Sequence, residues 1–339
     1  MTIPIAINGF GRMGRLLVRS LTQHPELELV HINEHSGGLA TAAHLTQFDS
    51  VHGRWEYEAK VLGNELSLNG QIITFSEFTK PSEVPWRETG AQIIIDCTGS
   101  FRTVDALSSY LEGGTNKVVV AAPVHDERAL NIVMGCNDDL YDPDAFDIVT
   151  AASCTTNCIA PVVKVLNEQI GIMKGLITTI HDPTNTQVVV DYPLADLRRS
   201  RSALNSLIPT STGSATAITR IFPELSGKLD GIAIRVPVLN ASLSDCVFEM
   251  AEEVSAQQIN GLLEEAAAVS LSGILGFEHR PLVSSDYVND TRSGIVDGPS
   301  TTVIDGNLVK VLVWYDNEYG YVHRLAELTA KVASHLPSS

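Results

Sequence analysis

Residues 3–34 read IPIAINGFGRMGRLLVRSLTQHPELELVHINE, and no other stretch constrains the fold of this chain as tightly. A short apolar run stops at Gly9. After a turn, Leu16, Leu17, Val18 and Leu21 fall on one helical face, and ELELVHIN reads as a second strand. The turn itself, Gly9-Phe10-Gly11-Arg12-Met13-Gly14, is a G-x-G-x-x-G set between strand and helix. Glu34 closes the second strand about 20 residues further on, the context such a turn needs to bind a dinucleotide. In that role Gly9 permits the tight reversal and Gly11 lets backbone approach a pyrophosphate. Gly14 lets helix and strand pack closely, and the helix N-terminus faces the phosphates. A carboxylate at position 34 can accept hydrogen bonds from a ribose and repels a 2′-phosphate, so NAD is expected over NADP.

The pattern continues. AQIIIDCTG (91–99) and NKVVVAAP (116–123) are continuous apolar runs ending at small residues, as strands buried on both faces of a parallel sheet require. The first 152 residues therefore read as a doubly wound α/β domain of Rossmann type. Beyond Cys154, IAPVVKVLNEQIGI predicts a helix. GLITTIHD, GIAIRVPVLNASLSDCVFEMAEE and NLVKVLVWYD then alternate as strands of a mixed or antiparallel sheet, giving an α+β domain over 153–316. Residues 183–214 carry little periodicity and much Pro, Ser, Thr and Arg, and a loop of that length is usually functional. NEYGYVHRLAELTAKVASHL predicts a closing helix within 317–339, packed back on the first domain.

The formal charge of −17 disfavours nucleic acid and anionic membrane as partners. The chain has no apolar run of spanning length and no signal-peptide pattern at its start. Its five cysteines are too few, and odd in number, for a disulfide framework, so a reducing cytoplasm is expected. Cys154 and Cys158, in TAASCTTNCIAP, lack a second Cys/His pair, so no metal site is expected. Cys154 opens the predicted helix, whose first-turn amides stabilise a thiolate, whereas Cys158 lies one turn further in and reads as packing. On these grounds alone Cys154 is as readily structural as nucleophilic.

ASCTTNCIAP, taken with NGFGRMG, TTIHDPTNTQ, PTSTGSATAI, PELSGKLDGIAIRVP and WYDNEYGY, strongly resembles the phosphorylating glyceraldehyde-3-phosphate dehydrogenase family, in order from residue 3 to about residue 333. The resemblance implies that Cys154 is the nucleophile and His181 the base that activates it. It implies a substrate-phosphate site of Thr184, Thr186 and Arg235. An inorganic-anion site would comprise Ser153, Thr155, Thr212, Gly213 and Arg201, with Arg198 and Arg199 as further anion or interface candidates. NAD contacts are implied at Arg12, Met13, Asn33, Glu34, Thr98, Gly99 and Asn317, beside the turn residues Gly9, Phe10 and Gly11; Tyr321 matches an aromatic near the nicotinamide. A homotetramer is implied as well.

The chain also departs from the usual family pattern. Asp182-Pro183-Thr184-Asn185-Thr186-Gln187 replaces the ATTATQ that commonly follows the histidine, keeping both threonines. INE and DLRRSR resemble the erythrose-4-phosphate dehydrogenases, but the retained threonines and STG imply an anion acceptor rather than water. HINE, TAAHL, FDSVHGRW, HDPTNT, RVPVLNASLSDCVFE and DTRSGIVD resemble the members encoded in bacterial arsenate-resistance operons. For that subgroup the expected acceptor is phosphate or arsenate, and the expected product 1-arseno-3-phosphoglycerate, passed to a membrane exporter.

Overall fold

The structure, a computed structural model, describes residues 2–336. The chain divides into two compact units. The first comprises the residues up to Ser153 and those from Val322 on; the second is Cys154–Tyr321.

The first unit is built on a nine-stranded sheet. Strand Ile3–Asn8 lies between Leu27–Asn33 and Ile93–Asp96, parallel to both. Lys117–Val120, Ile148–Thr150 and Leu130–Asn131 extend the parallel sheet beyond Ile93–Asp96. On the other side Gln71–Ser76 pairs parallel to Leu27–Asn33, and an antiparallel meander through Glu65–Leu68 to Ala59–Leu62 closes that edge. Every residue of Ile93–Asp96 and Lys117–Val120 is buried, which requires cover on both faces and explains their unbroken apolar runs. The strand order reverses at Ile3–Asn8. The crevice beyond the carboxyl ends of Ile3–Asn8 and Ile93–Asp96 is therefore the place where a doubly wound sheet binds its ligand.

Glycine is required at two of the turn positions. Gly9 has φ +89°, and a Cβ there would lie 2.6 Å from the Thr98 backbone nitrogen. A Cβ on Gly14 would meet the Gly9 carbonyl oxygen at 2.3 Å, so helix Arg12–Leu21 can approach its strand only without one. Gly14→Ala should therefore cost about 1–3 kcal/mol of stability through displacement of that helix. It should also weaken NAD binding. Thermal unfolding and a cofactor titration check this, and an unchanged midpoint with unchanged affinity would contradict it.

The second unit carries an eight-stranded mixed sheet. Its order runs Ile208–Ser211, Leu229–Arg235, Ile172–His181, Ser242–Met250, Leu308–Tyr315, Gly294–Asp297, Leu275–Glu278, with Thr302–Ile304 also paired to Leu308–Tyr315. Helix Cys154–Gln169 buries most of its length, including Cys158, Ile159, Val162 and Leu166. Two local expectations need correction. The segment 183–214 is not a single loop: it ends in strand Ile208–Ser211, antiparallel to Leu229–Arg235, and helix Ser214–Ile221 follows it. The closing helix runs Tyr319–Ala333 rather than from 317, because the Asp316 carboxylate takes the backbone N–H groups of Glu318 and Tyr319 at 2.9 and 2.7 Å and starts the helix there. Residues 337–339 of the expected helix lie outside the described residues.

Candidate active site

In the first unit the glycine turn is tied to the end of the second strand. The Phe10 N–H donates to the Glu34 carboxylate at 2.7 Å, and Ser36 N–H donates to its other oxygen at 2.9 Å. His35 Nδ1 also lies 3.3 Å from the oxygen that Ser36 uses, so the oxygen bonded to Phe10 is the one with a lone pair left for a ribose. The Phe10 ring is buried, so only its backbone is left for a ligand. Among the described residues, none but its chain neighbours comes within 4 Å of where a Cβ on Gly11 would sit. Glycine there serves nothing inside the protein, as expected if a pyrophosphate takes that space. Arg12 opens the helix in a salt bridge with Asp49, and Met13 beside it is half-buried. That guanidinium, with backbone N–H groups from Val51 and His52, holds the Asp49 carboxyl below its ordinary range against the opposing effect of burial.

Asn33 is placed differently from the direct contact expected of it. Its amide donates to Asn8 Oδ1 at 2.7 Å and to the Phe78 carbonyl at 2.9 Å, while its oxygen accepts from Ser76 and from the Phe78 N–H. Both protons and both lone pairs are used internally, so Asn33 sets the position of its neighbour Glu34 instead. On the other side of the crevice the Thr98 N–H and hydroxyl both donate to Asp96, at 3.0 and 2.8 Å, which fixes the turn into Gly99 at φ +65°. Asp96 also accepts from Tyr110, which in turn takes a proton from Asn8. Burial pushes the Asp96 carboxyl up to about 6. This buried chain joins Asn33 to Thr98 beneath the turn, through residues that no local motif links.

In the second unit the thiol and imidazole come together. Cys154 is the first residue of helix Cys154–Gln169, and the turn before it passes through Ala152 at φ +52°, a left-handed conformation uncommon for a residue with a side chain. Ser153 joins this turn to the helix. His181 ends strand Ile172–His181, and its Nε2 lies 3.6 Å from Cys154 Sγ. Parallel pairing sets His181 directly beside Arg235, which ends the neighbouring strand. Arg235 places one terminal nitrogen 2.6 Å from His181 Nδ1 and donates to the Asp182 carbonyl at 2.8 Å. Its Nε is buried without a hydrogen-bond partner, a donor suited to an anion. Burial lowers the Arg235 pKa, and burial also works against a charged His181. The hydrogen bonds from His181 to Asp182 and Cys154 outweigh it and raise the imidazole to about 9. Tyr315 stacks edge-on against the His181 ring, centroids 6.0 Å apart, with its phenol kept neutral by burial.

The expected anion ligands divide. Thr184 and Thr186 share a hydrogen bond at 3.1 Å on the exposed segment after His181, and Gln187 bonds both hydroxyls, accepting from Thr184 at 3.2 Å and donating to Thr186 at 2.9 Å. Thr212 precedes Gly213, and its hydroxyl meets Ser214 at 2.8 Å at the start of helix Ser214–Ile221. Thr155 is buried instead, with its hydroxyl 3.0 Å from Tyr315 OH, behind the cysteine. Arg201 is ion-paired with Asp191 at 2.8 Å and is 68 % exposed. Arg199 lies closer to the other expected ligands. Its Nε donates to Thr210 at 2.8 Å, on the strand leading to Thr212, and its charge is felt at Arg235. Counting along DLRRSR could not separate these arginines, because the segment has no period. Asn317 is buried, with its amide donating to Asp182 at 3.0 Å, and Tyr321 is buried in the first turn of the closing helix. Cys158 is fully buried against Ser244 and Val313, and burial drives its thiol well up.

A dinucleotide-binding sheet in one unit, and a thiol–imidazole pair flanked by guanidinium groups in the other, are the two parts a cysteine-dependent dehydrogenase requires. Residues 3–104 match the NAD binding domain of glyceraldehyde 3-phosphate dehydrogenase, and residues 153–317 match its C-terminal domain. The chain is 57 % identical over 334 residues to glyceraldehyde-3-phosphate dehydrogenase 3 of Nostoc, covering 98 % of this chain and 99 % of that one. It is 46 % identical over 334 residues to the glyceraldehyde-3-phosphate dehydrogenase of Geobacillus stearothermophilus, with the same coverage of both chains. Against glyceraldehyde-3-phosphate dehydrogenase 1 of Bacillus subtilis it is 45 % identical over 333 residues, again covering 98 % and 99 %. The chain belongs to the glyceraldehyde-3-phosphate dehydrogenase family, and its cofactor is NAD.

Proposed function

We propose that this protein oxidises glyceraldehyde 3-phosphate with NAD, through a thioester on Cys154 that an inorganic anion then cleaves. The observation that carries this reading is the approach of Cys154 Sγ to His181 Nε2, 3.6 Å, with Arg235 alongside. His181 takes the thiol proton, and the thiolate adds to the aldehyde carbonyl. The resulting oxyanion recovers that proton from the imidazolium, giving a thiohemiacetal. NAD, held by the turn residues, Glu34 and the Thr98–Gly99 segment, supplies the hydride acceptor. As the C–H hydride departs, His181 takes the hydroxyl proton and a thioester remains on Cys154. Arg235, Thr184 and Thr186 hold the substrate phosphate. Thr212, Gly213 and Arg199 hold the acceptor, whose oxygen attacks the thioester carbonyl. The Cys154 thiolate leaves beside the imidazolium, and a mixed anhydride departs.

Phosphate and arsenate share charge and shape, so one anion site serves both, and the product is 1,3-bisphosphoglycerate or 1-arseno-3-phosphoglycerate. The stretches quoted above favour arsenate detoxification, coupled to a membrane exporter, as the biological role; a central glycolytic or gluconeogenic role is the alternative. NADH formation from glyceraldehyde 3-phosphate and from erythrose 4-phosphate should be measured with no anion, with phosphate and with arsenate. The triose should be preferred and the rate should depend on anion; equal rates without anion, or preference for the tetrose, would overturn the reading. Specialisation for arsenate would appear as a higher kcat/KM than for phosphate.

Of the anion ligands, Arg199→Ala should raise the KM for phosphate about 10- to 100-fold, the loss of a charged hydrogen bond, while Arg201→Ala changes it less than about twofold. The reverse order would return the role to Arg201. A homotetramer is supported by the apolar side chains left open on the second unit. Leu176, Leu197, Leu207 and Leu239 are each at least 66 % exposed, and an interface between copies would cover them. Five free thiols fit a reducing cytoplasm.

A further inference from the structure

Asp182 follows the histidine and is 2 % exposed. Its Oδ1 lies 2.6 Å from His181 Nδ1 and accepts from Ser242 Oγ at 3.1 Å, while its Oδ2 accepts from Asn317 at 3.0 Å. Ser242 also takes the Asp182 N–H at 3.3 Å. The carboxylate is thereby fixed by strand Ser242–Met250 and by the segment after Leu308–Tyr315.

We propose that Asp182 is a positioning residue that makes Cys154 and His181 part of a triad, holding the proton on Nδ1 so that Nε2 is free to take the thiol proton. The proposal rests on the thioester reading above. Three groups meet at Nδ1: Arg235, the Asp182 carboxylate, and the Asp182 carbonyl at 2.9 Å, a neutral acceptor that also takes a proton from Arg235. Arg235 can donate to it, which would place the imidazole proton on Nε2 and turn the wrong tautomer toward the thiol. Asp182 can accept from it, which gives the productive tautomer. Charge points the same way. Arg235 and Asp182 both lie 2.6 Å from Nδ1, so the carboxylate offsets the repulsion that the guanidinium would otherwise exert on an imidazolium. The other groups facing the ring are Cys154, whose thiolate also favours the imidazolium, and Tyr315, which is neutral. Without Asp182, Arg235 is left as the dominant charge at Nδ1, and the thiolate–imidazolium pair gives way to thiol and neutral imidazole.

The test is the rate at which iodoacetamide alkylates Cys154 between pH 5 and 10, with no NAD or substrate, in wild type, Asp182→Asn and Asp182→Ala. Asparagine keeps the shape and an acceptor for Asn317. Its profile should shift upward by about one pH unit or more, with alkylation about tenfold slower at pH 7 and equal to wild type at pH 10. An unshifted profile in a folded variant overturns the proposal. If neither variant folds, ¹⁵N spectra of wild-type histidines decide it: a far-downfield proton on His181 Nδ1 supports the carboxylate contact, and its absence rejects it. NADH formation by wild type is read in parallel. A shifted profile without turnover would reject the dehydrogenase reading and keep the triad; turnover with an unshifted profile would do the opposite.

Discussion

Replacing Cys154 with serine is expected to lower NADH formation about 10⁴-fold or more, equivalent to about 5 kcal/mol of barrier, while NAD affinity stays within about twofold. A serine hydroxyl has no appreciable alkoxide near neutral pH, and the thioester on which anion cleavage depends cannot form. The glycine turn, Glu34 and the Thr98–Gly99 segment belong to the other unit, so the loss falls on chemistry and not on NAD binding. Cys158→Ala is the control. Cys158 lies one turn along the same helix but is fully buried against Ser244 and Val313, so its loss should lower stability by about 1 kcal/mol and leave turnover within a few-fold. Steady-state kinetics with thermal unfolding separate the two. Substantial turnover by the serine variant would end the thioester mechanism, and loss of alkylation in the Cys158 variant would mean the wrong thiol had been chosen.

That the two cysteines can be told apart from sequence reflects where information is stored along the chain. Cys154 sits at a helix start, marked by the small residues before it and the apolar face beyond, and Cys158 falls on that face. The glycine turn is legible for the same reason. Gly9 and Gly14 answer contacts made within one βαβ unit, so their spacing alone describes them. The antiparallel meander at the sheet edge was missed although its signal is present: Asn69 and Gly70 at φ 51° and 81° form the two-residue reversal that an Asn-Gly pair favours.

Side-chain engagement is another matter. Asn33, Thr155 and Arg201 are each the right residue type for the role expected of them. Each is bonded to a partner that its motif does not contain: Asn33 to Asn8 and Phe78, Thr155 to Tyr315, and Arg201, through Nε, to Asp191 ten residues away. Hydrogen-bonding capacity is finite, and a local motif does not record how it is used elsewhere. Arg199 illustrates the converse. It is indistinguishable from Arg198 and Arg201 in DLRRSR, and only the pairing of Ile208–Ser211 with Leu229–Arg235 brings Thr210 within its reach. Asp182 looked like a change of neighbour in a familiar stretch. Its meaning depends on Ser242 and Asn317, which lie far along the chain and on other elements of the fold.

His181→Asn should lower kcat about 10²- to 10⁴-fold at pH 7, the range for loss of a positioned acid–base group. Its pH dependence should also differ in sign from wild type. The His181 pKa is raised to about 9, burial opposing and the contacts with Asp182 and Cys154 prevailing, so the imidazolium persists up to that pH. Below it wild type keeps the proton that the first oxyanion needs. As pH passes about 9 the imidazolium loses that proton, and the wild-type rate should fall. The asparagine variant has no such proton to lose. Its thiolate must form by direct loss of a proton to solvent, so its rate should climb about tenfold per pH unit through the neutral range, until the thiol itself has titrated. The gap between the two enzymes should therefore be widest in acid and narrow steadily above pH 9. Parallel profiles separated by a constant factor would mean that His181 only shapes the pocket and that the proton travels by another route.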